Sequence, residues 1–144
     1  MTGSFRAVAH PWLCDVMGHL TTRHYVAMFD DASYHFLFEV FAWSGTDAAN
    51  GVGFADVRHE LDYAAEVGSG DLLEITGRLE KLGTKSVTIV YEMTNLSHGE
   101  LAATLRSVAV CFDTKARKAV AFPDAWRRKA EGVLAQGVVR GSSA

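Results

Sequence analysis

The sequence predicts an α+β domain: an antiparallel sheet of five or six strands wrapped around one long central helix. Three observations predict it. The stretch from His24 to Trp43 is the longest apolar run in the chain and holds no Gly or Pro. Four later segments alternate apolar and polar residues with the period of a strand. Short turns join those segments, and short turns favour antiparallel neighbours. A sheet of that kind must bury its apolar face, and the one large apolar object available is the helix.

The chain has 144 residues, a one-domain length. A single domain over 1–136 is expected, with a flexible tail over 137–144 (GVVRGSSA). The composition is 49% hydrophobic and 22% charged, with a net charge of −3, so there is no basic face for nucleic acid. The N-terminus lacks the apolar core of a signal peptide, and no run is long enough to span a membrane. A cytoplasmic protein is the expectation. Its two cysteines, Cys14 and Cys111, read as free thiols in a reducing compartment.

Taken in order, Ser4 to Ala9 alternates and reads as a short strand stopped before Pro11. His10 to Arg23 is a polar loop carrying Asp15 and Gly18. The helix follows, with Thr22 or Thr21 as N-cap. Its apolar positions are spaced as on a helix: Tyr25, Val26, Met28, Phe29, Ala32, Phe36, Leu37, Val40 and Phe41. Its end is expected near Ser44-Gly45, with the glycine in the left-handed position. Residues 46–53 read as a loop. The strand Phe54–Ala64 should point Val57, His59, Leu61 and Tyr63 inward. Strands over 72–81, 87–94 and 101–113 follow, then a short extension at 119–122 and a polar helix from Asp124 to about Ala135.

The chemistry-bearing residues gather in the loop before the helix. A carboxylate there can act as nucleophile or activate water. The first N–H groups of a helix lack intrahelical partners and carry partial positive charge, which suits a developing oxyanion. Asp15 equally suits the capping of a turn. His19 can orient Asp15 or sit on the surface. Tyr25 suits packing, His59 a pocket wall or a satisfied core, and Lys85 a solvated turn. Cys14 has no partner base set by spacing and reads as a packed thiol. His10, His19, His24 and His35 lack the spacing of a metal site, so no metal is expected.

The order of elements, with the run Asp15-Val-Met-Gly18-His19-Leu-Thr-Thr22-Arg-His-Tyr25, resembles the hotdog-fold acyl-CoA thioesterases of the 4-hydroxybenzoyl-CoA thioesterase type. That pattern is an Asp, a Gly three residues on, and a Tyr ten residues on that opens the helix. A large subgroup reads D-x-N-G-H-x-N-N-x-x-Y, and this chain departs from it at Met17, Thr21 and Thr22. The likeness extends from Phe5 to about Lys129 through HELDY, GDLLEI, the turn Gly83–Ser86 and AFP before the last helix.

The resemblance implies hydrolysis of an acyl-CoA thioester to free acid and CoA. It implies Asp15 as nucleophile or general base, and a backbone N–H near Thr22 as oxyanion donor. Gly18, His19, Tyr25 and His59 would face the substrate, and Lys85, with Lys81 nearby, would meet the CoA phosphates. No cofactor is implied, since CoA belongs to the substrate. The resemblance also implies a homodimer or homotetramer with its pocket between subunits. Phe29, Ala32, Phe36, Val57 and His59 would shape the acyl site. A hotdog-fold enoyl-CoA hydratase or dehydratase, and a non-catalytic acyl-CoA binding protein, are the alternative functions.

Overall fold

A computed structural model describes residues 2–143, with side chains from 4 to 134. The expected tail over 137–144 lies outside the residues whose side chains are described. Six strands are present: β1 (Thr2–Val8), β2 (Val52–Tyr63), β3 (Leu72–Leu82), β4 (Ser86–Asn95), β5 (Glu100–Asp113) and β6 (Lys118–Ala119). The helices are α1 (Thr22–Phe41), α2 (Gly45–Ala49) and α3 (Asp124–Ser143). The expected antiparallel sheet around a long helix is thus observed, and it is the hotdog arrangement. Among the described residues, no helix is long and apolar enough to cross a membrane.

The sheet runs β1-β3-β4-β5-β2, with every neighbour antiparallel and β6 paired to β5. Consecutive strands β3, β4 and β5 pair as short turns require. Strands β2 and β3 do not pair, although only residues 64–71 join them. That connection instead crosses to the far side of the sheet and hydrogen-bonds the loop before α1 on its way. Bulges in β2, in β3 and in the β4–β5 pairing increase the local twist and help the sheet curl.

Helix α1 is about 30 Å long at its ordinary rise per residue. It buries Tyr25, Met28, Phe29, Ala32, Phe36, Leu37, Val40 and Phe41, the 3–4 spacing of one broad face. Val26 is the exception to the expected set: it points away and is exposed. Phe36 is fully buried against Gly77 and Tyr91, where the sheet backbone approaches the helix most closely.

Two boundaries differ from expectation. The helix stops at Phe41, and Ala42, not Gly45, takes the left-handed position at φ 56°. This costs about 1–2 kcal/mol for a residue with a Cβ. The turn places Trp43 in the core, where its Nε1 donates to the Val52 carbonyl at 3.0 Å and its ring meets Phe54 edge-on. Burying an indole outweighs that local strain. Ser44-Gly45 then opens α2 through a reciprocal capping box with Asp47, so the expected loop at 46–53 is partly helical. The last helix continues to Ser143, past the expected end near Ala135.

The inward phase expected for β2 holds for His59 and Leu61 but not for Val57 and Tyr63. Val57 sits at the bulge and is 59% exposed, and Tyr63 is 51% exposed. Helix α1 packs on β1 and β3, while β2 lies at the opposite edge of the sheet, paired on one side only among the described residues. Val57 and Tyr63 therefore face outward in a single chain, while Phe54 and Leu61 pack on the core.

Candidate active site

The loop before α1 is a tight hairpin. Cys14 pairs with Leu20 across it, the Asp15 N–H donates to the His19 carbonyl at 2.9 Å, and the Thr21 N–H to that of Leu13 at 3.0 Å. Asp15 is thereby folded back beside the segment that enters the helix. Its Oδ1 accepts from the Met17 N–H at 2.9 Å and the His19 N–H at 3.3 Å. Its Oδ2 has no protein partner among the described residues, and the side chain is partly exposed. One oxygen thus holds the turn and the other is available. Gly18 closes the turn at φ 79°, and a Cβ added there would meet nothing within 4 Å. Gly18→Ala is accordingly expected to cost about 1–2 kcal/mol through backbone strain alone. A chemical-denaturation midpoint measures it, and unchanged stability would show that the turn relaxes.

Helix α1 begins with its N-terminal donors uncovered. Thr21 is the N-cap, yet neither it nor Thr22 makes the side-chain capping bond expected of them. The His24 N–H reaches the Thr21 carbonyl at 2.9 Å. The N–H groups of Thr22 and Arg23 have no partner among the described residues, and no acid lies in the first turn. The positive end of the helix is therefore free to receive a negative oxygen.

Around this centre stand His19 and Tyr25. The His19 ring does not touch the Asp15 carboxylate. Its Nε2 lies 3.4 Å from Glu66, and its backbone alone serves Asp15. Tyr25 is buried and packs edge-on to Tyr63 at 5.0 Å. Burial pushes its phenol up, with Tyr63, Cys14 and Glu66 adding to the effect. His19, Tyr25, Tyr63 and Glu66 line one open cleft of about 280 Å³. The Cys14 thiol lies 3.5 Å from the His10 carbonyl, a packing contact. Among the described residues no group of three or more His, Cys, Asp or Glu is placed to hold a metal.

Two expected site residues lie elsewhere. His59 lines a separate cavity between α1 and the sheet, with Nε2 3.7 Å from Asp56. Lys85 is exposed in the β3–β4 turn. Asp15 lies by the start of β3 and Lys85 beyond its end, so one strand of about 30 Å separates them.

Sequence reading did not find the support beneath the loop. The connection from β2 to β3 grips it: Leu20 N–H donates to Val67 at 2.8 Å, Ser69 N–H to Gly18 at 3.2 Å, and Gly68 bridges His19. Asp71 fixes that connection. Its carboxylate accepts from the Gly68 N–H at 2.8 Å and from the fully buried Asn95 amide at 2.9 Å, with His98 at 3.4 Å. Burial pushes this carboxyl up, but the Gly68 and Asn95 hydrogen bonds and His98 together hold it below the ordinary value. A depressed folded pKa gives stability that is present above the unfolded pKa and lost as pH falls through the folded one. Asp71→Asn should therefore flatten the loss of stability below about pH 4. Thermal melts from pH 3 to 7 measure it, and an unaltered acid limb would contradict the assignment. The only sequence signal was the Gly-Ser-Gly-Asp turn at 68–71.

Residues 9–130 match the family model of the thioesterase-like superfamily. The chain belongs to that superfamily. This thioesterase is 29% identical over 122 residues to the long-chain acyl-CoA thioesterase FadM of Escherichia coli K12, covering 83% of this chain and 90% of FadM. Its fold is similar to that of SAV2348 from Staphylococcus aureus, solved in complex with CoA. That match has a TM-score of 0.85 and 17% identity, over 93% of this chain and 84% of the other. It is also similar to Slr0204, a 1,4-dihydroxy-2-naphthoyl-CoA thioesterase from Synechocystis. There the TM-score is 0.76 at 17% identity, covering 90% and 96% of the two chains.

Proposed function

We propose that this thioesterase hydrolyses an acyl-CoA to the free acid and CoA, with Asp15 as nucleophile or general base. The observation that carries the reading is one hairpin holding a free carboxylate oxygen beside a helix end with uncovered N–H groups. Attack by Asp15, or by a water it deprotonates, puts negative charge on the thioester oxygen. The N–H groups of Thr22 and Arg23 receive that charge. The thiolate then leaves without a dedicated acid, being stable near neutral pH relative to an alkoxide; where Asp15 itself attacks, the acyl group remains on it as a mixed anhydride, which water cleaves to the free acid and the restored carboxylate. CoA in the substrate is supported by FadM and by the CoA-bound SAV2348.

The working unit we propose is a homo-oligomer. Val16 and Met17 beside Asp15 are exposed, as are Val57 and Tyr63 on β2, and a second copy would cover such surface. Antiparallel pairing across the free β2 edge would set the Asp15 end of one copy by the Lys85 end of the other. Lys85 then serves the CoA phosphates across the interface.

The test is a panel of acyl-CoA thioesters of varied acyl length and polarity, with released thiol followed by a chromogenic reagent. Turnover of at least one member is expected. Absence of thiol release across the panel, from protein shown to be folded, overturns the reading.

A further inference from the structure

The Asp15 hairpin rests at both its ends on one short segment, residues 67–71 of the connection from β2 to β3. Ahead of the hairpin, the Ala9 N–H donates to the Asp71 carbonyl at 2.9 Å, and the Gly70 N–H to the Ala9 carbonyl at 2.7 Å. Ala9 is fully buried. Behind the turn, His19 faces Gly68 in an antiparallel bridge, flanked by the bond from Leu20 to Val67 and that from Ser69 to Gly18. Any movement of this segment therefore carries the hairpin with it.

A single side chain closes the segment. The Asp71 N–H donates to the Gly68 carbonyl at 3.1 Å, and Asp71 Oδ2 accepts from the Gly68 N–H at 2.8 Å. The same oxygen accepts from the Asn95 amide at 2.9 Å. Asn95 is fully buried at the end of β4, and its own side-chain oxygen accepts from the Ser97 N–H at 3.1 Å. Asp71 thus joins the segment under the hairpin to a fixed point in the sheet.

The path from Asp71 to the Asp15 carboxylate is short. It runs through the Gly68 N–H, across the Gly68–His19 bridge, and through the His19 N–H to Asp15 Oδ1 at 3.3 Å. Burying a carboxylate adds little net stability even where it is paired. A satisfied polar network adds rigidity and a defined geometry. Geometry is what a reacting group needs, since a misplacement of about 1 Å can cost about 10²-fold in rate.

We propose that Asp71 is a positioning residue for hydrolysis, setting where the unpaired Asp15 oxygen stands against the first N–H groups of α1. Asp71 itself touches no reacting atom. The proposal rests on the reading of Asp15 given above.

Two variants separate position from charge. Asp71→Glu keeps the charge and both acceptors, but its longer side chain pushes Gly68 away from Asn95. Asp71→Asn loses the charge, yet its carbonyl oxygen can still accept from both Gly68 and Asn95, as Oδ2 does. Thiol release is followed at neutral pH, with melting temperature to show that each protein is folded. Asp71→Glu should lower kcat at least tenfold and change KM less than threefold. Asp71→Asn should keep kcat within threefold of the native protein. Should Asp71→Glu not fold, Asp71→Ala, which removes the acceptors, takes its place with the same expectations.

The same variant is then made in the Asp15→Asn background. No carboxylate remains there to be placed, so Asp71→Glu should lower the residual kcat less than threefold. A merely structural role would lower activity equally in both backgrounds, and that result overturns the proposal. So does a loss under tenfold in Asp71→Glu, or a loss in Asp71→Asn as deep as in Asp71→Glu. An impaired Asp15→Asn beside an unimpaired Asp71→Glu overturns this proposal alone. A fully active Asp15→Asn overturns the Asp15 reading and this proposal together.

Discussion

Asp15→Asn should lower kcat by about 10²–10⁴-fold, the range expected for loss of a general base or carboxylate nucleophile. The substitution is chosen for what it keeps. The amide oxygen of Asn can still accept from the Met17 and His19 N–H groups, which bind Oδ1 in the native hairpin. The turn therefore survives, and KM should change far less than kcat. Asp15→Ala would remove both acceptor and charge, confusing lost chemistry with a loosened loop. Thiol release on the best substrate, with melting temperature as the folding control, measures the effect. Full activity in the Asn variant would reduce Asp15 to the turn-capping part it visibly plays. The Thr22 and Arg23 N–H groups cannot be removed by side-chain change. They would account for residual activity in the variant.

Gly77→Ala should lower the melting temperature by roughly 3–12 °C, about 1–3 kcal/mol of overpacking in a domain of this size. A Cβ at Gly77 would sit 2.5 Å from Cδ2 and 2.9 Å from Cε2 of Phe36. Neither group has room to yield: Phe36 is fully buried and locked against Tyr91 at 5.6 Å. Backbone conformation is not the cause, since Gly77 is not in the left-handed region. The clash is wholly between sheet and helix. Phe36→Leu in the same background should restore part of the loss by removing ring atoms. If Gly77→Ala melts within about 1 °C of the native protein, the tight contact is not what sets the sheet's approach to α1.

The loop and helix end that make up the candidate site were legible because they are local. Asp15, Gly18, His19 and Tyr25 lie within eleven residues, and a polar loop followed by a helix N-terminus is written in that order along the chain. The support beneath it was not legible. Asp71, Asn95 and His98 come from separate strands and turns, and nothing in any one of those segments announces the other two. Lys85 and His59 failed to join Asp15 for the same reason. The turn holding Lys85 and the strand holding His59 were both expected, but where each lies relative to Asp15 depends on which strands pair.

By itself the sequence determined the α+β class, the apolar face of α1, the alternation of β3, β4 and β5, and the polar loop that carries Asp15 ahead of α1. These follow from local periodicity and turn chemistry, which act over a few residues. Tertiary structure alone decided that β2 pairs with β5 and not with β3, that α1 ends at Ala42 so Trp43 can be buried, and that Tyr91 faces a cavity beside Asp30 and Asp56. Each of these outcomes rests on the burial of surfaces far apart in the chain. Such contacts have no local pattern, because the free energy that selects them exists only once the sheet has closed on the helix.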